Sequence, residues 1–325
     1  MKRLLLHERS FARVGDQLGA VSPVLMGDDG VLRMEGREVS PEEAAVDAAW
    51  TNADAFFSPA VRPFMAAVLR SPKLAWVQTG SAGVEAPVFS AIVNKGATLT
   101  TTHVQSVGIA EYVLWGVLDH WQRGPERRVA QGERRWEKLS FREVLGSHWL
   151  VVGFGAIGQD VAVRAKAFGA RVTGVRRSGG EHPAADVMIT DWRAALSDAD
   201  VVVLSLPLSK ATAGMAGAEA FAAMKPGSVF VNVGRGGLVD EAALLAALDR
   251  GTPEHAVLDV TATEPLPSDS PLWAHPRIAL TGHTSGVGSG VAARGDQVFL
   301  ANLKRWLAGE PLQGVMPASE VLASA

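Results

Sequence analysis

His283 closes a short apolar run, Ile278-Ala279-Leu280, and stands in a cluster of Gly, Ser and Thr. Two more polar clusters close apolar runs upstream. SVFVNVGRGGLVDEAAL carries Asn232, Arg235 and Asp240, and HAVLDVTATEPLP carries Asp259 and Glu264. An open α/β sheet gathers its ligands at the carboxyl ends of its strands, so an arginine, a carboxylate and a histidine on successive strand ends can converge on one cleft. Together they fit the reduction of a 2-oxo acid. The fork of donors on Arg235 can bind the neighbouring carboxylate and ketone. His283, as imidazolium, can give a proton to the ketone oxygen. Glu264 beside it would orient the ring and favour its charged form. Arg235, Glu264 and His283 are the catalytic candidates, and the other seven histidines read as structural or solvent-facing.

Such chemistry needs a hydride source, and the chain has a place for one. Gly153-Phe154-Gly155-Ala156-Ile157-Gly158 matches GxGxxG, directly after a strand-like run and at the opening of a helical one, as a dinucleotide site requires. Gly153 permits the tight turn, Gly155 lets a pyrophosphate approach the backbone, and Gly158 lets helix and strand pack closely. The helix N-terminus offers N–H groups to the phosphates. An NAD site usually has a carboxylate some 20 residues on, for the ribose hydroxyls. Here stand Arg176 and Arg177, which suit a 2′-phosphate and point to NADP(H) in preference to NAD(H). A Tyr-x-x-x-Lys site is impossible, because the only tyrosine is Tyr112 and Gly116 stands four residues on.

The elements that must hold these groups read as alternating strands and helices, the pattern of parallel sheets covered by helices. Strands are expected at Leu4–Leu6, Ala48–Thr51, Leu74–Gln78 and Thr98–Thr101, with helical stretches at Arg62–Leu69, Ala86–Asn94 and Val107–Gln122. A polar arm with Pro125 and Trp136 follows. From Trp149 come strand, glycine turn, amphipathic helix and strand, then strands at Val201–Leu206, Val229–Val233, Ala256–Val260 and Ile278–Thr281. These are nearly all apolar, as strands buried on both faces should be. Gly290–Ala308 is again helical.

Composition sets limits. The 325 residues suffice for two domains, and a hydrophobic fraction of 47% supports a real core. The net charge of −3, from 31 basic and 34 acidic residues, argues against a general nucleic-acid surface. The absence of cysteine removes disulfides, thiolate catalysis and Cys-ligated zinc, and no metal site is expected. The apolar stretch after Met1-Lys2-Arg3 is too short for a signal-peptide core, and no run approaches a bilayer span, so a soluble cytoplasmic protein without membrane contact is expected.

The segments VQTGSAGVE, VVGFGAIGQDVAVRAKAFGARV, VNVGRGGLVDEAALLAAL and LDVTATEPLPSDSPLWAHPRIALTGHTSG, in this order along the chain, resemble the D-isomer-specific 2-hydroxyacid dehydrogenases over nearly the whole chain. The resemblance implies an α/β protein of two doubly wound parallel-sheet domains. A Rossmann nucleotide domain, 102–284, is inserted into a flavodoxin-like substrate domain, 1–101 and 285–325. It places the family's catalytic trio on Arg235, Glu264 and His283, its nicotinamide-amide carboxylate on Asp259, and its substrate-carboxylate loop on Ser81, Ala82 and Gly83. Leu206, Pro207, Thr212, Val233 and His283 complete the cofactor-binding candidates. A homodimer through the nucleotide domain is also implied. Two departures stand out. Gly282 precedes the histidine where the family has proline, which loosens the turn. Arg176 replaces the aspartate of NAD-using members, as in the NADPH-preferring glyoxylate/hydroxypyruvate reductase branch. The expected activity is reduction of a small 2-oxo acid to the D-2-hydroxy acid. The alternatives are a non-catalytic, nucleotide-sensing corepressor-like protein on the same fold, and an enzyme acting on phosphite or formate, neither of which needs a ketone-protonating acid. Pocket size is expected to depend on Trp50, Asn52, Phe56, Phe57 and Trp273.

Overall fold

The computed structural model describes residues 1–81 and 83–323. They form two compact units, 1–104 with 289–325 and 105–288.

The first unit opens with strand β1 (Lys2–His7), whose Leu4, Leu5 and Leu6 are wholly buried. Helix α1 (Glu8–Val14) leads to β2 (Val21–Met26), then a hairpin of β3 (Leu32–Met34) and β4 (Arg37–Glu38). Short helices α2 (Pro41–Ala44) and α3 (Ala53–Phe56) flank β5 (Ala48–Thr51). Helix α4 (Val61–Arg70), β6 (Trp76–Thr79), α5 (Pro87–Asn94) and β7 (Thr98–Thr100) follow. The sheet order is β4-β3-β2-β1-β5-β6-β7. Strands β2-β1-β5-β6-β7 are parallel, the flavodoxin-like arrangement. Strands β2, β3 and β4 were not expected from the sequence. Pro23 in β2 argues against a strand, yet β3 reaches only Leu25 and Met26, so Pro23 lies at an open edge where proline is tolerated. The β3–β4 turn has Glu35 at φ 51° and Gly36 at φ 77°, the both-positive geometry that a two-residue hairpin favours.

The second unit begins with α6 (Ser106–Trp121) and α7 (Gly124–Gly132). The expected polar arm is therefore partly helical: Pro125 sits in the first turn, where its missing N–H is no loss. The chain continues through β8 (His148–Val152), α8 (Ala156–Ala167), β9 (Arg171–Val175), β10 (Val187–Ile189) and β11 (Val201–Leu204). Helix α9 (Ala218–Ala222), β12 (Val229–Asn232), α10 (Glu241–Arg250), β13 (His255–Leu258) and β14 (Ile278–Leu280) complete it. The order β10-β9-β8-β11-β12-β13-β14 is the Rossmann order, parallel throughout. Strand periodicity divides the core between the two faces. Trp149, Val151, Val201 and Val203 pack on one, and Leu150, Val152, Val202 and Leu204 on the other. Gly116 lets α6 lie against β13, since a Cβ there would come within 2.6 Å of Val257.

The chain then returns to the first unit with α11 (Val291–Ala308) and α12 (Ala318–Ala323). Phe299 of α11 stacks on Trp50 at 4.1 Å, and Asn302 donates to Gln78 Oε1 at 2.8 Å. Trp50 is thus a core residue and not the pocket residue expected. No helix among the described residues is long and apolar enough to cross a membrane.

Candidate active site

His283 and Glu264 come together beyond the ends of β14 and β13. His283 Nδ1 lies 2.7 Å from Glu264 Oε2. The other oxygen of Glu264 accepts the Thr261 N–H at 3.1 Å, so the carboxylate is held at both ends. With Nδ1 facing Glu264, Nε2 is the ring nitrogen left to exchange a proton with a substrate. His283 takes φ 56°, a left-handed conformation uncommon for a side-chain-bearing residue. Gly282 meets nothing within 4 Å of where its Cβ would be. A cavity of about 420 Å³ adjoins the pair and is lined also by Asp259, Leu266, Trp273 and Leu280.

The turn that carries His283 is tied to Asp259, itself 1% exposed. The His283 N–H donates to the Asp259 carbonyl at 2.7 Å. The Asp259 carboxylate accepts from Thr281 Oγ1 at 2.7 Å, from the Thr284 N–H at 2.8 Å, from the Ser285 N–H at 3.0 Å and from Ser285 Oγ.

Arg235 follows β12. Asn232 fixes its loop, donating to the Arg235 carbonyl at 2.9 Å and accepting the Gly234 N–H at 3.0 Å. The loop abuts the one bearing Glu264: a Cβ on Gly236 would overlap the Thr261 carbonyl group, and only glycine fits. Arg235 Nη1 donates to the Gly234 carbonyl at 2.8 Å.

The glycine turn lies between β8 and α8. Gly153 has φ 93°, and a Cβ there would sit 2.7 Å from Ser205 and Leu206. A Cβ on Gly158 would overlap the Gly153 carbonyl oxygen. Gly155 is different, with nothing within 4 Å and no side chain capping the helix it opens. The first-turn N–H groups, including those of Ala156 and Ile157, have no partner within α8. This open, uncapped cradle fits a dinucleotide pyrophosphate. Arg176 is half-buried and donates through Nε to the Gly179 carbonyl at 2.6 Å, while Arg177 is exposed.

Residues 114–285 match the family model described as D-isomer specific 2-hydroxyacid dehydrogenase, NAD binding domain. The chain belongs to the D-isomer specific 2-hydroxyacid dehydrogenase family. It is 32% identical over 314 residues to the D-3-phosphoglycerate dehydrogenase of Mycobacterium tuberculosis, covering 91% of this chain and only 57% of that protein's length. Against glyoxylate/hydroxypyruvate reductase B of Escherichia fergusonii it is 32% identical over 250 residues, which is 72% of this chain and 75% of the relative. The crystal structure of a D-isomer specific 2-hydroxyacid dehydrogenase from Xanthobacter autotrophicus Py2, in complex with NADPH and MES, superposes with a TM-score of 0.78 at 27% identity, over 98% of this chain and 99% of that one.

The family's other expected positions fall as follows. Thr212 Oγ1 donates to the Pro207 carbonyl at 3.0 Å, folding the segment after Leu206 back on itself. Val233 buries its side chain in the core. In the first unit, the Ser81 N–H is bonded to Thr79 Oγ1 at 3.1 Å, Ser81 Oγ donates to the Gly83 carbonyl at 2.7 Å, and Ala82 lies outside the described residues. Asn52 is buried and spends its side chain within that unit, whereas Phe57 is exposed. Sequence reading missed three groups that shape the site: Ser205, whose hydroxyl holds the Gly153 carbonyl at 2.9 Å; Glu241, which accepts the Ala262 N–H at 2.7 Å; and Tyr112, whose hydroxyl lies 2.7 Å from Thr281 Oγ1.

Proposed function

We propose that this protein reduces a small 2-oxo acid, of the size of glyoxylate or hydroxypyruvate, to the D-2-hydroxy acid with NADPH. The observation that carries the reading is the 2.7 Å pair of His283 and Glu264 at the strand ends of a Rossmann sheet, beside the loop of Arg235. NADPH, when bound, supplies the hydride. His283 Nε2 gives a proton to the ketone oxygen, and Glu264 stabilises the imidazolium and fixes its orientation. Arg235 binds the substrate carboxylate and ketone oxygen. The turn at Gly153, Gly155 and Gly158 with the start of α8 holds the pyrophosphate, Asp259 serves the nicotinamide amide, and Arg176 and Arg177 receive the 2′-phosphate. The unit 105–288 is the nucleotide domain, and the unit formed by 1–104 and 289–325 binds substrate through the segment 81–83. Two copies pair through the nucleotide domain, where Trp115, Val129 and Trp136 are exposed apolar side chains. The NADPH complex of the Xanthobacter relative supports the cofactor, and the Escherichia relative's name supports the substrate class.

The test is a panel of 2-oxo acids of increasing side-chain size, assayed with both reduced cofactors. NADPH should be preferred by about ten- to a hundredfold, the value of one charge-assisted contact. Arg176→Asp with Arg177→Ala should reverse that preference. Equal use of both cofactors removes the arginine assignment, and no turnover with any 2-oxo acid removes the activity.

A further inference from the structure

We infer that Tyr112, Thr281 and Ser285 are positioning residues that act through Asp259 to hold the His283 turn in its productive conformation. The inference rests on His283 being the proton donor proposed above.

Tyr112 lies on α6, 169 positions away from Thr281 in sequence, yet their hydroxyls are 2.7 Å apart. Thr281 Oγ1 is also 2.7 Å from Asp259 Oδ1. A hydroxyl has one proton to give. The carboxylate can only accept, so Thr281 donates to Asp259 and Tyr112 donates to Thr281. The result is a chain of donors that runs from a helix in the core to a buried carboxylate. Burial pushes the Tyr112 hydroxyl up to about 12, so it keeps the proton it donates. On the far side of His283, the Thr284 and Ser285 N–H groups and Ser285 Oγ grip the same carboxylate. His283 is therefore bracketed, with Thr281 before it and Thr284 and Ser285 after it all on Asp259, and its own N–H on the Asp259 backbone.

The bracket has something to hold. His283 is in a left-handed conformation, which disfavours a residue with a Cβ by about 1 kcal/mol. Gly282 before it carries no side chain, and a Cβ there would meet nothing within 4 Å, so side-chain packing does not restrain the turn at that position. The donors on Asp259 supply the restraint instead. Among the groups lining the adjoining cavity, the titratable ones are Glu264, Asp259 and His283 itself. Ring orientation thus depends on one contact, that with Glu264, and on a backbone that Asp259 fixes.

The experiment uses the full chain with Tyr112→Phe, Thr281→Val, their double variant, and Thr281→Ser. Tyr112→Phe should lower kcat for 2-oxo acid reduction by about three- to tenfold, the range of one neutral hydrogen bond, and Thr281→Val by about ten- to a hundredfold, the range of one to a charged group. KM for NADPH should stay within about twofold. Because the hydroxyls act in series, the double variant should be no worse than Thr281→Val alone. Thr281→Ser, which keeps the hydroxyl, should restore kcat. NMR relaxation of the His283 ring, measured without substrate, should show greater ring mobility in both single variants. Wild-type kcat and ring mobility in Tyr112→Phe and Thr281→Val overturn the inference, and so does a loss confined to KM for NADPH. Should the wild type turn over no 2-oxo acid, the activity proposal fails. Ring mobility then decides the positioning role alone: a rise in both variants supports it, and no change overturns it.

Discussion

His283→Ala should lower kcat for ketone reduction by about two to four orders of magnitude, the usual consequence of losing a general acid. NADPH affinity should barely move. A kcat within about threefold of wild type would assign proton transfer to another group. Glu264→Gln tests the partner. Glu264 Oε2 lies 2.7 Å from His283 Nδ1. Glutamine keeps the shape but removes the charge, so kcat should fall by about ten- to a hundredfold, the range of a hydrogen bond to a charged group, with KM for NADPH within about twofold; an unchanged kcat removes Glu264 from the role. At this scale the sequence was legible where chemistry shows in residue type. Arg235, Glu264 and His283 stood out as polar residues after apolar runs, and the fold sets His283 on Glu264 and the Arg235 loop against the Glu264 loop. What stayed hidden was how they are held. The donors on Asp259 come from residues up to 26 positions away, and Tyr112 sits 169 positions from its partner, so only the fold makes them neighbours.

Elements place those residues by close approach, and glycine marks where. Helix α6 lies on β13 because Gly116 has no Cβ to meet the wholly buried Val257. Gly116→Ala should cost about 1–3 kcal/mol of unfolding free energy by overpacking. Adding Val257→Ala should recover part of that loss, and denaturant unfolding of the two single variants and the double variant measures the coupling. Simple additivity would mean that the contact is not what limits the helix. The buried parallel strands were readable because burial on both faces demands continuous apolar residues. Edge elements were not. Strand β10 is short and half-exposed, β2 contains Pro23, and the β3–β4 turn uses Glu35 where Asn or Asp would be the usual signal. Pro125 read as an interruption because proline starts helices as readily as it ends them.

For the whole molecule, acid should be destabilising for a reason remote from the active site. His120 of α6 and His255 of β13 stack at 4.1 Å with nearly parallel rings. Burial, with His120 and His275 adding to it against the opposing pull of Asp119, pushes His255 down to about 3 from an ordinary 6.5. Burial lowers His120 too, against Glu254, Glu126 and Asp119 and together with Arg142. The folded protein keeps these rings neutral while the unfolded chain protonates them. The stabilising contribution of His255 is therefore complete above about pH 6.5 and is lost progressively as pH falls toward 3, and that of His120 is lost in the same direction. Each excess proton costs about 1.4 kcal/mol per pH unit. In His255→Phe the decline in urea midpoint from pH 7 to pH 5 should be shallower than in wild type; identical slopes would place the acid sensitivity elsewhere. The way the chain visits its two units carries a separate consequence, for synthesis. The unit 105–288 is unbroken, whereas the first unit needs α11, whose Phe299 and Leu303 complete its core. On the ribosome the middle of the chain has all its core residues by Gly288, while the earlier-made sheet still waits for its last helix. The portion translated first should thus finish folding last. Nascent chains arrested with residue 288 just outside the exit tunnel should yield a protease-resistant fragment from the second unit before any from the first.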